Sequence, residues 1–357
     1  MTSTTTGTDG RTIVRLSDPG ELIAAVPHLL SFRPGSSVVL LNHSGGGHRR
    51  IVPVIRADLP DESFEPEAVR ELVRAVLRHP GGGVTVVVVG SGPGHRAPPG
   101  DVPHRRLVRR LISALKDDRP VDHVLWVPEI RGGARWRCYH GDCGPGVVPD
   151  DRDTVMAATM AARGWVPYAS REELERQLEP DDSAAITRRR HMLEAALDEL
   201  DDRSRTPGRF DDEKSAEHLS AVRAALARAV AGDFTLSDGD VVSLALALSD
   251  GRVRDRCLTT ADEPDEAASR AAERLWLELV RRTPPPERAG PATLLAYAAY
   301  RRGDCVLASL ALDNALTAHP GHGLAEPLKQ ALEHHITPDA LRRVTEFQEG
   351  GLMSRDP

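Results

Sequence analysis

The segment Pro291–Pro320, PATLLAYAAYRRGDCVLASLALDNALTAHP, holds two apolar helical stretches, 291–302 and 305–318, with Gly303 at the turn between them. Ala308, Ala315 and Pro320 occupy small-residue and terminating positions of a tetratricopeptide-type helix pair. Ala292, Ala296 and Ala299 stand where the first helix of such a pair carries bulkier residues or glycine. No second good copy is found, and repeats of this kind need about three for independent stability. Two readings follow: a repeat-like hairpin that presents a surface to another protein, or an ordinary helical hairpin packed in a bundle.

Helical signals surround this hairpin. Asp181-Asp182-Ser183 opens a long helix to about residue 200, and Ser170 with Glu173 reads as a capping box. Further helices are expected at about 212–231, 239–249, 265–282, 323–335 and 338–347, the last introduced by Thr337-Pro338. Gly232, Gly251 and Gly303 fall where helix exits want a residue at positive φ. From about residue 170 onward no strand pattern is found, so the C-terminal half is expected to be all helix.

The N-terminal half reads differently. Asp18-Pro19-Gly20-Glu21 is a helix entry, followed by an apolar face of Leu22, Ile23, Val26, Leu29 and Leu30. Val38–Leu41 and Ile51–Ala57 read as antiparallel partners, and Val84–Val89 as a strand buried on both faces. Helices over 65–78 and 103–116 separate these from a strand at 122–127. Short strands at 135–138 and 164–168 flank a helix at 154–163. Strands alternating with helices predict an α/β domain whose mixed sheet is mostly parallel. The expected layout is a disordered N-terminus at 1–16, an α/β domain at 17–169 and a helical domain at 170–357 carrying the tetratricopeptide-like hairpin.

Composition bounds the function. The 357 residues include 43 Arg and 3 Lys, with 28% charged and only 4% aromatic side chains. Residues 1–150 carry a formal charge of +3 and the remainder −10, which together give the net −7. An acidic C-terminal half repels phosphate backbones, so no nucleic acid partner is expected. The N-terminal MTSTTTGTDG lacks the basic and apolar regions of a signal peptide. Apolar runs fall far short of the roughly 20 residues that span a bilayer, and 4 cysteines do not make a disulfide scaffold. No membrane association and a cytoplasmic location are expected.

Three segments in order carry a family resemblance: SDPGELIAAVPHLLSFRPGSSVVLL from Ser17, RADLP at Arg56–Pro60, and AAYRRGDCVLASLALDNALTAHP at Ala298–Pro320. Together they resemble the actinobacterial domain of unknown function family 4192. The resemblance implies a bacterial cytoplasmic protein from a G+C-rich Gram-positive host, and it implies no activity. Related sequences often carry a doubled cysteine near Trp136–Gly146, whereas Cys138 and Cys143 stand singly here.

Candidate chemistry is sparse. Cys138, His140 and Cys143 place three zinc-type ligands within six residues, but no second cysteine pair follows. A plain surface hairpin is the competing reading, so no cofactor is assigned and zinc stays the one candidate metal. Val89-Gly90-Ser91-Gly92-Pro93-Gly94 follows a buried strand, yet a Pro-rich stretch, His95–Gly100, separates it from the next helix. A dinucleotide loop would run straight into that helix. Arg105, Arg106, Arg109 and Arg110 form a basic strip without aromatics for base stacking. His319 and His322 fall in a loop between helices and read as capping or solvated groups. No G-x-S-x-G, H-E-x-x-H or G-x-x-x-x-G-K-[ST] motif is present.

Arg33, Arg56 and Asp58 leave strand ends, where open α/β sheets bind ligands. If they converge, an arginine could hold an anion while Asp58 acts as base or metal ligand. A structural ion pair is the competing reading. The leading expectation is a non-enzymatic scaffold or adaptor that binds an unknown protein partner through its helical half. The alternative is an enzyme acting on a small anionic substrate at the strand ends. Oligomeric state is not legible.

Overall fold

The computed structural model describes residues 3–6, 12–15, 18–43, 51–90, 102–140, 143–150, 152–162, 165–203, 210–262, 265–334, 336 and 340. The chain divides into two units, Met1–Arg171 and Glu172–Pro357.

The first unit begins with β1 (Ser3–Thr6) and β2 (Thr12–Arg15), paired antiparallel within the stretch expected to be disordered. Their threonine, valine and isoleucine content favours extended backbone. Helix α1 (Pro19–Leu30) starts as expected: the Asp18 carboxylate accepts the Gly20 N–H at 2.5 Å, with Pro19 in the first turn.

The main sheet contains β3 (Ser37–His43), β4 (Ile51–Asp58), β5 (Gly83–Val89), β6 (Val121–Val127), β7 (Arg135–Cys138) and β8 (Gly146–Val147), in the order β4-β3-β5-β6-β7-β8. Helices α2 (Glu65–Leu77) and α3 (Arg105–Leu115) form the crossovers β4-α2-β5 and β5-α3-β6, and α4 (Val155–Ala162) follows the sheet. The expected mostly parallel sheet is corrected here. Only β5 and β6 pair parallel; every other neighbouring pair is antiparallel. The cause is β3, which lies between β4 and β5 and runs against both. Strands β4 and β5 point the same way but never touch.

The aliphatic side chains of α2 and α3 join Val38, Leu40, Val84, Val86, Val88 and Val124 in one core on a single sheet face. The residues between them, Val39, Leu41, Val87 and Leu125, are also fully buried. Gly146 lies against the Trp136 indole so closely that a Cβ would sit 2.5 Å from its ring carbons. The expected strand over 164–168 reduces to one bridge, Phe32 with Tyr168, and residues 163 and 164 lie outside the described residues.

The β3–β4 ladder carries one irregularity. Leu59 N–H bonds to the Ser36 carbonyl at 3.1 Å, which makes Ser36–Leu59, Val38–Ala57 and Leu40–Ile55 the hydrogen-bonded pairs of the β3–β4 ladder. The next such pair would be Asn42 with Pro53, and proline has no N–H to give. The register shifts there, between Leu41 and His43.

The second unit is helical: α5 (Arg171–Arg176), α6 (Ser183–Arg203), α7 (Phe210–Val230), α8 (Asp238–Ser249), α9 (Gly251–Cys257), α10 (Glu266–Arg282), α11 (Ala289–Arg302), α12 (Cys305–Ala318) and α13 (Ala325–Glu333). Gly232 and Gly303 have φ of 88° and 94°, as expected at helix exits. Gly251 does not; it opens α9, because Asp250 accepts the Arg252 N–H at 2.9 Å and restarts the helix. Every residue of α11 from Ala289 to Tyr300 is buried, so this helix is the centre of the unit. The helix expected over 338–347, with its Thr337-Pro338 start, lies almost wholly outside the described residues.

Candidate functional site

Strand register gathers the candidate pocket at one end of the sheet. Ser37 stands opposite both Asp58 and Val89, and Val89 opposite Val127, so β4, β5 and β6 all finish there. Gly90 closes this end. Its N–H donates to the Val127 carbonyl at 2.8 Å, and its own carbonyl accepts the Trp126 indole N–H at 2.9 Å. With φ at 77°, and the Ser36 hydroxyl 3.0 Å from where a Cβ would stand, this position needs glycine. Residues 91–94, the rest of the glycine-rich turn, lie outside the described residues.

Arg56 and Asp58 form an ion pair, and Arg56 Nε also donates to the Ser37 hydroxyl at 2.9 Å. The guanidinium lies 5.9 Å from the centre of the Phe32 ring. The Asp58 side chain is 78% exposed and stands in water. Arg33 donates through Nη1 to the Ile130 carbonyl at 3.1 Å, after β6. The structure thus joins Arg56 to Asp58 and gives Arg33 a partner beyond the neighbouring strand. Both crossovers lie on one face of the sheet, so the strand order never reverses to open the crevice that doubly wound sheets use.

The remaining candidates are placed as follows. Cys138 ends β7 and is half-buried, His140 is exposed, and Cys143 is half-buried. Among the described residues, no three His, Cys, Asp or Glu side chains gather as a metal would require. The basic strip on α3 is partly neutralised: Arg106 reaches Glu65 at 2.8 Å and Glu62 at 3.2 Å, and Arg110 lies 4.0 Å from Glu65. Its hydrogen bond to Glu65 is the main cause holding the Arg106 guanidinium above its ordinary pKa. His322 is buried and faces the start of α13, where its Nδ1 lies 3.2 Å from the Ala325 N–H.

A buried polar cluster at the opposite end of the sheet escaped the sequence reading. His43 Nε2 lies 2.9 Å from the Thr85 hydroxyl and 3.9 Å from an Asp122 carboxylate oxygen. Both approach the same ring nitrogen, so this is not the relay in which a carboxylate orients the nitrogen opposite the nucleophile. Beside it, Asn42 is fully buried, and among the described residues neither of its amide atoms has a hydrogen-bond partner. Only the register that stacks β3, β5 and β6 brings these residues together, and nothing local in the sequence encodes it.

The family model described as Domain of unknown function (DUF4192) matches residues 19–339, so the chain belongs to that family. No curated protein and no solved structure matches it.

Proposed function

For this member of the DUF4192 family, we propose a non-enzymatic role as a cytoplasmic adaptor that holds a protein partner on its helical unit. One observation carries the reading: α10, α11, α12 and α13 pack in chain order, each on the next. That is the layout of helical-repeat scaffolds. We read α11–α12 as the tetratricopeptide-like hairpin, with α13 stacked behind it. Because α11 is buried all round, the surface offered to a partner comes from the outer sides of α10, α12 and α13. At the strand ends Arg56 pairs with Asp58, donates to the Ser37 hydroxyl and lies near the Phe32 ring.

The test is affinity capture of the full-length chain from its own cells, followed by cross-linking and hydrogen exchange on the recovered complex. Cross-links and protection on α10, α12 and α13 are expected. Protection confined to the strand ends, or no stoichiometric partner, would overturn the reading.

A second reading rests on the shared end of β4, β5 and β6: an enzyme for a small anionic substrate, held by Arg33 and Arg56 with Asp58 as base. It requires a bound metabolite in the purified protein, lost in Asp58→Asn without loss of fold.

A further inference from the structure

The register of β4 leaves one row of peptide groups without backbone partners among the described residues. Since Ala57 and Ile55 make the hydrogen bonds to β3, the N–H and C=O of Val54, Arg56 and Asp58 point away from the sheet. No strand among the described residues pairs with them. Natural sheets blunt such edges with proline, bulges or very short strands. The opposite edge obeys, because β8 has only two residues. On β4 the one proline, Pro53, has its missing N–H turned toward β3, so it does not guard the outer side. The bulge beside it is confined to the start of the strand, and 54–58 stay regular.

The same short stretch is complementary to itself. Arg56 and Asp58 share one face of the strand and already form an ion pair. An antiparallel copy related by a two-fold axis at Ala57 sets Arg56 opposite Asp58 of the other chain, and Asp58 opposite Arg56. Those two pairs are the ones whose peptide groups face outward, so they make the new backbone hydrogen bonds. Ala57 meets its own copy at the close, non-hydrogen-bonded position, where a small side chain is needed. The Asp58 side chain is 78% exposed, so this end of the edge is open to solvent. We propose that two copies of the chain join β4 to β4 about this axis, continuing the two sheets into one.

Sedimentation velocity of the full-length chain at low and high salt tests this. A dimer is expected, weakened by salt. Asp58→Lys sets like charges opposite each other twice over and should weaken it about tenfold. The charge swap Arg56→Asp with Asp58→Arg should restore it. A wild-type monomer at all concentrations overturns the proposal, and so does a dimer indifferent to Asp58→Lys.

Discussion

The His322 ring meets the Ala325 N–H at 3.2 Å with Nδ1 and the Arg254 guanidinium at 3.3 Å with Nε2. A neutral imidazole carries one N–H and accepts at only one of these nitrogens, so a second ring proton would face a donor. Burial first, then Arg254 and His319, push the imidazole pKa down to about 4, against a smaller opposing effect of Asp255. A histidine whose folded pKa is depressed gives stability that is complete above its ordinary value of 6.5. That stability drains as pH falls toward about 4, because the unfolded chain takes up the proton first. His79 and His218 are lowered by burial as well and act in the same direction. Urea unfolding at pH 7, 5 and 4 should show a loss on the order of 2 kcal/mol attributable to His322. His322→Asn, which can still accept the amide but does not titrate, should flatten that part of the profile.

Arg302 links three consecutive helices, reaching Glu273 of α10 at 2.9 Å and Asp304 at 3.1 Å. Asp304 in turn caps α12 by accepting the Leu307 N–H at 3.0 Å. Asp304→Asn should keep the cap and lose the ion pair, while Asp304→Ala loses both. The alanine variant should be less stable than the asparagine one by about 1 kcal/mol in chemical denaturation. Glu273→Ala strips Arg302 of its other carboxylate and should cost about 1–3 kcal/mol.

Two glycine substitutions should fail for different reasons. At Gly303 a Cβ meets nothing within 4 Å, so Gly303→Ala pays only for a φ of 94°, about 1 kcal/mol. At Gly83 the φ is ordinary, but a Cβ would lie 2.4 Å from an Asp122 carboxylate oxygen. Gly83→Ala must displace Asp122 from His43 and should cost more. Thermal melts of the two variants side by side separate backbone strain from steric conflict.

Local features were legible in sequence because local residues cause them. The Asp18 cap, the Gly303 exit and the adjacency of Arg56 to Asp58 each depend on neighbours within a few positions. Strand direction was not legible. Val38–Leu41 and Val84–Val89 are both apolar runs buried on two faces, and that burial produces the same pattern whether a strand is parallel or antiparallel. The insertion of β3 between β4 and β5 therefore left no mark in composition. Arg33 shows the same limit: its acceptor, Ile130, is 97 residues away. Gly251 misled because glycine at a helix exit and glycine at the first position after a capping aspartate look alike in sequence.

Asn42 offers the sharpest test of the sheet itself. It is fully buried in β3, between Leu41 and His43, and among the described residues neither of its amide atoms has a hydrogen-bond partner. Its oxygen faces Gly81, where a Cβ would stand only 2.7 Å away. A buried carboxamide that makes no hydrogen bond has given up water for nothing, at about 1–3 kcal/mol. Removing the polar atoms while keeping the branched shape should recover part of that cost. Asn42→Leu is therefore expected to be as stable as the wild type or more so, an unusual result for a core substitution. The measurement is chemical denaturation of the two proteins at pH 7. A loss above about 1 kcal/mol would mean that the amide is held by a partner at this end of the sheet.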